Sequence, residues 1–258
     1  MLSASAIEKH LRHSLPLIRI LPSTPSTNSL CRTLAEEGGK EGSLILADHQ
    51  TAGRGRMGRS FFSPQGTGLY MSLLLRPAIA PADALSITTC AAVCVCEAIE
   101  ALSGRSAAIK WVNDIYMDGK KVCGILTEAA FATDGSALRY AVLGIGVNAA
   151  PPKEDFPAEL ANIASYVFAG SEGDMRPLLA AEIVNRFFDY YPRLAEKPFY
   201  PEYRSRLFLR GQPVQILWGN GSGSGVCLDV DRDFRLLIQR DDGSLETISS
   251  GEVSVKPF

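Results

Sequence analysis

Apolar positions along this chain alternate between strand-like runs and helical spacing, and the changeovers set its organisation. After a short helix around Ala4–Leu11, Leu17–Leu21 predicts a strand, stopped by Pro22 and Pro25. Ser26-Thr27-Asn28 offers three capping side chains ahead of a helix over Ser29–Glu37, which Gly38-Gly39 ends. Leu44–Ala47 and Leu69–Leu75 are apolar runs of strand length, and Ala82–Leu102 is a long apolar helix. Strands follow at Ala108–Trp111, Ile115–Met117 and Val122–Ala130, with a two-residue hairpin signal, Asp118-Gly119, between the last two. Thr133-Asp134-Gly135-Ser136 turns the chain into a strand over Leu138–Asn148. Beyond Pro151-Pro152 the spacing is helical, over Ala158–Phe168 and Leu178–Leu194. Adjacent hairpins with helices grouped beside them predict an α+β fold on an antiparallel or mixed sheet.

The pattern changes near Arg210-Gly211. Short strands are predicted at Val214–Trp218, Val226–Val230, Arg235–Gln239, Leu245–Ile248 and Val253–Val255, separated by Gly-Asn-Gly-Ser-Gly, Asp-Arg-Asp and Asp-Asp-Gly-Ser turns. So many strands in so short a stretch predict a small β-barrel. The expected division is a larger domain over 1–209 and a barrel over 210–258, which the length of 258 residues accommodates.

Composition narrows the function. Lys and Arg number 26 against 28 Asp and Glu, so any basic site is local and general attraction to nucleic acid is excluded. The cysteines Cys31, Cys90, Cys94, Cys96, Cys123 and Cys227 form no Cys-x-x-Cys pair, which predicts buried reduced thiols and a reducing compartment. His10, His13 and His49 are too scattered for a zinc site or a conventional triad. Glu97 and Glu100 interrupt the longest apolar run, so no membrane-length segment is expected, and the N-terminus lacks a signal-peptide core. A cytoplasmic protein with no membrane partner is expected.

Residues 53–59 read Gly-Arg-Gly-Arg-Met-Gly-Arg. Glycines allow close backbone approach to a ligand, and Arg54, Arg56 and Arg59 supply planar donors for phosphate or carboxylate. The expectation is a loop that folds over an anion and is disordered without one. The run satisfies Gly-x-Gly-x-x-Gly, but Pro64 and Gly66 break the helix that a dinucleotide fingerprint requires next. No Walker A loop occurs. A solvated Arg/Gly tail is a weaker reading, because the run is internal and leads into the strand Gly68–Leu75.

Other polar groups are ambiguous singly. Ser26-Thr27-Asn28 also reads as a plain helix cap, Gln50 as a loop amide, and Lys121 beside Lys120 as a solvated hairpin tip. Lys110-Trp111-Val112-Asn113-Asp114 sets polar groups among strand residues, and Gly144-Ile-Gly146-Val-Asn148 ends a strand in glycines that admit a flat ligand.

Taken in order, Ser-Thr-Asn, Gln then Gly-Arg-Gly-Arg-x-Gly-Arg, Ser-Pro and Gly-Leu-Tyr-Met-Ser, Lys-Trp-x-Asn-Asp, Lys-x-x-Gly-Ile-Leu and Gly-Ile-Gly-x-Asn resemble the biotin protein ligases. The resemblance is strongest over Ser26 to Asn148 and extends to Gly211-Gln-Pro-Val and Gly251-Glu-Val-Ser-Val. It implies a catalytic domain similar to class II aminoacyl-tRNA synthetases with an SH3-like C-terminal barrel. It implies formation of biotinyl-5′-AMP from biotin and ATP, with Mg²⁺ on the phosphates. Transfer to a lysine of a biotin carboxyl carrier protein follows.

By the same resemblance, Lys121 and Arg56 are catalytic and flank the reacting carboxyl and phosphate. Ser26, Thr27, Asn28, Gln50, Gly53, Arg54, Gly55 and Gly124 join them around biotin. Arg59, Phe61, Asn113, Asp114 and Asn148 join them around ATP, with Asp114 addressing metal or ribose. Two departures stand out: Phe61 where the family commonly has Trp, and Val112 where proline is common. Relatives with an N-terminal helix-turn-helix repress transcription. Only 25 residues precede Ser26, so no such domain and no DNA role are expected. A homodimer through sheet edges is compatible with the sequence. The nearest rival is a lipoate–protein ligase, which the Gly-Arg-Gly-Arg-x-Gly-Arg run and the C-terminal barrel disfavour.

Overall fold

The long apolar runs become the middle of a seven-stranded sheet in the computed structural model, which describes residues 2–152, 155–218, 221–249 and 252–255. Its strands are β1 (Ile18–Leu21), β2 (Leu44–Ala47), β3 (Gly68–Leu75), β4 (Ala108–Lys110), β5 (Asp114–Met117), β6 (Lys120–Phe131) and β7 (Leu138–Asn148). They lie in the order β1-β2-β3-β7-β6-β5-β4, with β1 parallel to β2 and the other pairs antiparallel. All eight residues of β3 are buried. Leu69, Met71, Leu73 and Leu75 enter the main core, while Leu74 packs with Cys31, Ala35, Ile45 and Val142 on the other face. A strand covered on both faces reads as a continuous apolar run, which is why it was legible.

Helix α1 (Ala4–Glu8) precedes β1, and α2 (Thr27–Glu36) packs on β2, β3 and β7. Helix α3 (Leu85–Ser103) lies against β4, β5 and β6 and against α4 (Arg176–Tyr190) and α5 (Tyr200–Arg206). The expectation that no run reaches membrane length is corrected here. Pro81–Ser103 is long and apolar enough by composition, and most of it is buried inside the protein. Glu97 and Glu100 find partners: Glu100 accepts from Arg206 at 2.9 Å and from the Ala107 N–H at 3.0 Å, while Glu97 lies 3.4 Å from Arg186.

Two helix expectations also change. Ala158–Phe168 is no helix. Leu160 and Ala161 bond back to Pro157, and the chain then extends so that Ser165 N–H donates to Lys121 O (2.9 Å) and Val167 N–H to Asn148 O (2.9 Å). Pairing with strand ends outweighs the local helical spacing. Helix α5 was not foreseen; it is short, with Pro201 in its first turn.

The second sheet contains β8 (Pro213–Trp218), β9 (Gly221–Val230), β10 (Leu236–Arg240), β11 (Leu245–Ile248) and β12 (Glu252–Val255), in the antiparallel order β11-β10-β9-β8-β12. Strand β9 begins inside the turn expected at 219–223. Gly219 and Asn220 of that turn, and Gly251 of the closing motif, lie outside the described residues. Phe234, buried before β10, stacks on Phe199 (5.6 Å, 3°) and meets the edge of Tyr203 at 5.1 Å.

All six cysteines are unpaired and buried. Burial pushes the Cys31 and Cys227 thiols up to about 12. The native protein is therefore expected to show no fast reaction with a disulfide reagent at pH 8, and six reactive thiols in guanidinium. A rapidly titrating thiol in the native protein would contradict this packing.

Candidate active site

Helix α2 starts where β3 can hold it. Ser26 caps it, its Oγ accepting from Ser29 N–H at 3.4 Å. Gln50 Oε1 accepts from both Thr27 N–H (2.9 Å) and Thr27 Oγ1 (3.1 Å), and Gln50 Nε2 donates to Ser63 Oγ at 3.0 Å. Buried Ser72, inside β3, lies 2.8 Å from Thr27 Oγ1 and 2.6 Å from Asn28 Oδ1. Asn28 Nδ2 donates to Leu126 O (3.2 Å) and Glu128 Oε2 (2.9 Å). A Cβ at position 144 would fall 2.1 Å from Asn28 Oδ1, so only glycine in β7 admits this amide. The result is a pre-tied set of small donors and acceptors at one end of a cleft.

The arginine-rich segment forms a hairpin over that cleft. Gly55 N–H donates to Arg59 O at 2.7 Å, Phe61 N–H to Gly53 O at 2.9 Å, and Arg59 N–H to Arg56 O at 3.2 Å. Met57 and Gly58 take φ of 55° and 74° at the tip. The expectation of disorder is thus corrected: backbone bonds close the loop, and its charge is met locally. Arg54 Nη2 reaches Glu128 Oε2 at 2.6 Å, and Arg56 Nη1 donates to Asn113 Oδ1 at 3.0 Å. The shared hydrogen bonds offset the repulsion between neighbouring guanidinium groups.

The other wall is the turn from β4 to β5 with the start of β6. Asp118 and Gly119 both have positive φ (49° and 76°), the geometry a tight two-residue hairpin demands. That hairpin brings Lys121 beside Asp114, with Nζ to Oδ1 at 2.7 Å and side-chain exposures of 31% and 23%. Lys121 is therefore a held cation rather than a solvated tip, and Lys120 is the exposed member of the pair. Asn113 is spent twice, accepting from Arg56 and donating to Ile125 O at 2.7 Å. Phe61 lies across the glycine floor: a Cβ at position 146 would come 2.7 Å from its ring, and one at 124 would come 3.3 Å from both its ring and Lys121 Nζ.

One cleft collects Ser26, Thr27, Asn28, Gln50, Arg54, Gly55, Arg56, Arg59, Phe61, Asn113, Asp114, Lys121 and Gly124. Two expected site residues do not line it. Gly53 sits behind, where a Cβ would fall 2.5 Å from Phe61 O, and Asn148 donates to Ser165 O at 2.9 Å. Lys110, Trp111 and Tyr70 line the cleft although no role had been assigned to them. Ser72 is legible only as the last residue of Gly-Leu-Tyr-Met-Ser, with no role attached, and Glu128 carries no signal, being an ordinary residue in a strand sequence.

The loop between β9 and β10 and helix α5 reach this wall. Phe234 O accepts from Trp111 Nε1 at 2.7 Å, and Tyr203 OH donates to Val112 O at 3.1 Å, next to a cis Trp111–Val112 peptide. No local signal marks these contacts.

Chemically, Arg56 from the hairpin and Lys121 from β6 approach one volume above a floor of glycines. Among the described residues no three His, Cys, Asp or Glu side chains could cage a metal. Asp114 is the carboxylate lining the cleft. One carboxylate suits a magnesium ion whose other oxygens come from a nucleotide, not a resident ion.

The model of the biotin/lipoate A/B protein ligase family matches residues 20–148, and that of the biotin protein ligase C terminal domain matches 210–256. A bifunctional ligase/repressor of Bacillus spizizenii is 34% identical, over 89% of this chain and 71% of its own length. A biotin–[acetyl-CoA-carboxylase] ligase of Paracoccus denitrificans is 30% identical, over 91% and 98%. Among solved structures, a biotin protein ligase from Aquifex aeolicus in complex with biotin and ATP has a TM-score of 0.75 and 27% identity, covering 94% of this chain and 99% of that one.

Proposed function

The chain belongs to the biotin/lipoate A/B protein ligase family, and from that premise we propose how its own residues run the reaction. That reaction is ATP-dependent biotinylation of protein, on the class II synthetase-like fold that such ligases share. The biotin carboxylate oxygen attacks the α-phosphorus of ATP, pyrophosphate leaves, and biotinyl-5′-AMP remains. A lysine amine then attacks the acyl carbon, the carbon–oxygen bond to AMP breaks, and an amide forms. We take the acceptor to be a biotin carboxyl carrier protein.

The first step drives a carboxylate against a polyanion, so repulsion must be cancelled before the atoms meet. Lys121, held by Asp114, and Arg56, held by Asn113, face the same cleft and would sit on either side of the reacting atoms. This pairing carries the proposal. Arg59 would bear on the phosphates. Ser26, Thr27 and Gln50 offer both donors and acceptors at the far end, as a neutral ureido ring needs. Because Asn113 spends both ends of its amide on Arg56 and Ile125, we assign it to positioning Arg56 in place of an adenine contact. Phe61 keeps the purine end, while Asn148, off the cleft lining, holds Ser165. Asp114 would hold magnesium with the phosphates, the ion supplying charge neutralisation there.

The experiment is transfer: enzyme, biotin, ATP and magnesium with a purified carrier domain. Biotin should appear on one carrier lysine, and only when ATP is present. A carrier left unmodified, or modified equally without ATP, would overturn the assignment.

A further inference from the structure

Glu128 stands on β6 outside the cleft lining, yet one of its oxygens joins the two elements that build the substrate-binding end. Oε2 receives Arg54 Nη2 at 2.6 Å and Asn28 Nδ2 at 2.9 Å. Arg54 roots the hairpin, where it bridges to Ser60. Asn28 belongs to the first turn of α2, and its other amide atom reaches Ser72 and, through it, Thr27 and Gln50. A continuous polar chain therefore runs from the hairpin root to the groups proposed for the ureido ring, and Glu128 is its only carboxylate.

We propose that Glu128 is a positioning residue: it latches the Arg54 root of the hairpin to the first turn of α2, so that hairpin closure and the acid-binding end of the cleft form one unit. Three observations support it. The pair is part-exposed, 36% for Arg54 and 27% for Glu128, where an ion pair adds little to fold stability. Its geometry is nevertheless tight and shared with an amide 5% exposed. Arg54 pairs through its backbone with Ser60 at the hairpin root, so a hold on its guanidinium acts on the hairpin as a whole. Glu128 itself touches no reacting atom; it acts through Arg54 and Asn28.

The inference rests on the cleft being the biotin and biotinyl-adenylate site. Wild type, Glu128→Gln, Arg54→Gln and the double variant are compared for three quantities: biotin affinity, the adenylation rate at saturating biotin and ATP, and release of preformed biotinyl-5′-AMP. Glutamine keeps the size of Glu128 and removes its charge. Glu128→Gln should weaken biotin binding and speed adenylate release by roughly tenfold, with the saturated adenylation rate changed by less than about twofold. The double variant should be no worse than either single one, because both break the same latch. Unchanged affinity and release, a loss confined to the saturated rate, or additive effects would overturn the latch. Should Glu128→Gln fold poorly by thermal melting, Arg54→Gln, at a partly exposed position, must alone reproduce the affinity and release changes or the latch is rejected. A wild-type enzyme that makes no biotinyl adenylate would instead remove the proposed function itself.

Discussion

Replacing Lys121 by alanine should slow biotinyl-adenylate formation in a single turnover by ~10²–10³-fold while weakening ATP binding far less. Charge on the carboxyl and α-phosphate oxygens is redistributed as they join, and a donor aimed at that point acts on the transition state more than on the ground state. The held position of Lys121 makes the effect large. Its Nζ lies 2.7 Å from Asp114, and its backbone is pinned by Ile163 O (2.8 Å to the Lys121 N–H) and by Ser165, so little reorganisation is needed during reaction. Quenched-flow with labelled ATP reads the rate, and equilibrium binding reads the affinity. A near-normal single-turnover rate would remove Lys121 from catalysis, and a loss confined to ATP affinity would make it a plain nucleotide contact.

Arg56→Gly should have a different consequence. Adenylation should persist in part, because Lys121 remains, but the adenylate should escape and label unrelated proteins. Arg56 lies on the hairpin and reaches Asn113 on the opposite wall at 3.0 Å, closing the cleft from above. Glycine removes that bridge and the grip on carboxyl and phosphate oxygens, and it loosens the hairpin; both changes raise the dissociation rate, on the order of tenfold or more. The released mixed anhydride acylates exposed lysines before it hydrolyses. Wild-type or variant enzyme is mixed with biotin, ATP and a lysine-rich bystander, and biotin on the bystander is measured. Labelling by the variant alone is expected. Equal, negligible labelling by both enzymes, with adenylation intact, would remove Arg56 from retention.

Much of the site was readable because its residues are unusual for their local surroundings. Three arginines among glycines, an amide and a carboxylate after a strand, and glycines ending an apolar strand all lack a packing explanation. The Asp118-Gly119 turn fixed where Lys121 must lie, since a two-residue loop sets the register of both strands. What was hidden depends on distant partners. The segment 158–168 has helical spacing, but its backbone is claimed by Lys121 and Asn148. The holding of Val112 by Tyr203, 91 positions away, leaves no local trace. Neither does the work of Glu128, whose two partners lie 74 and 100 positions off. Order in the hairpin was misjudged for the same reason: repulsion among its arginines is visible in the sequence, whereas Glu128 and Asn113 are visible only in the fold.

The family includes lipoate ligases as well as biotin ligases, so the choice of acid is the most direct test of the account. Enzyme, ATP and magnesium are incubated with biotin or with lipoic acid, and the acyl adenylate is identified by mass. Biotinyl-5′-AMP should form with biotin, and lipoic acid should give none above background. Lipoyl-AMP in place of biotinyl-AMP would contradict the reading of the cleft given above.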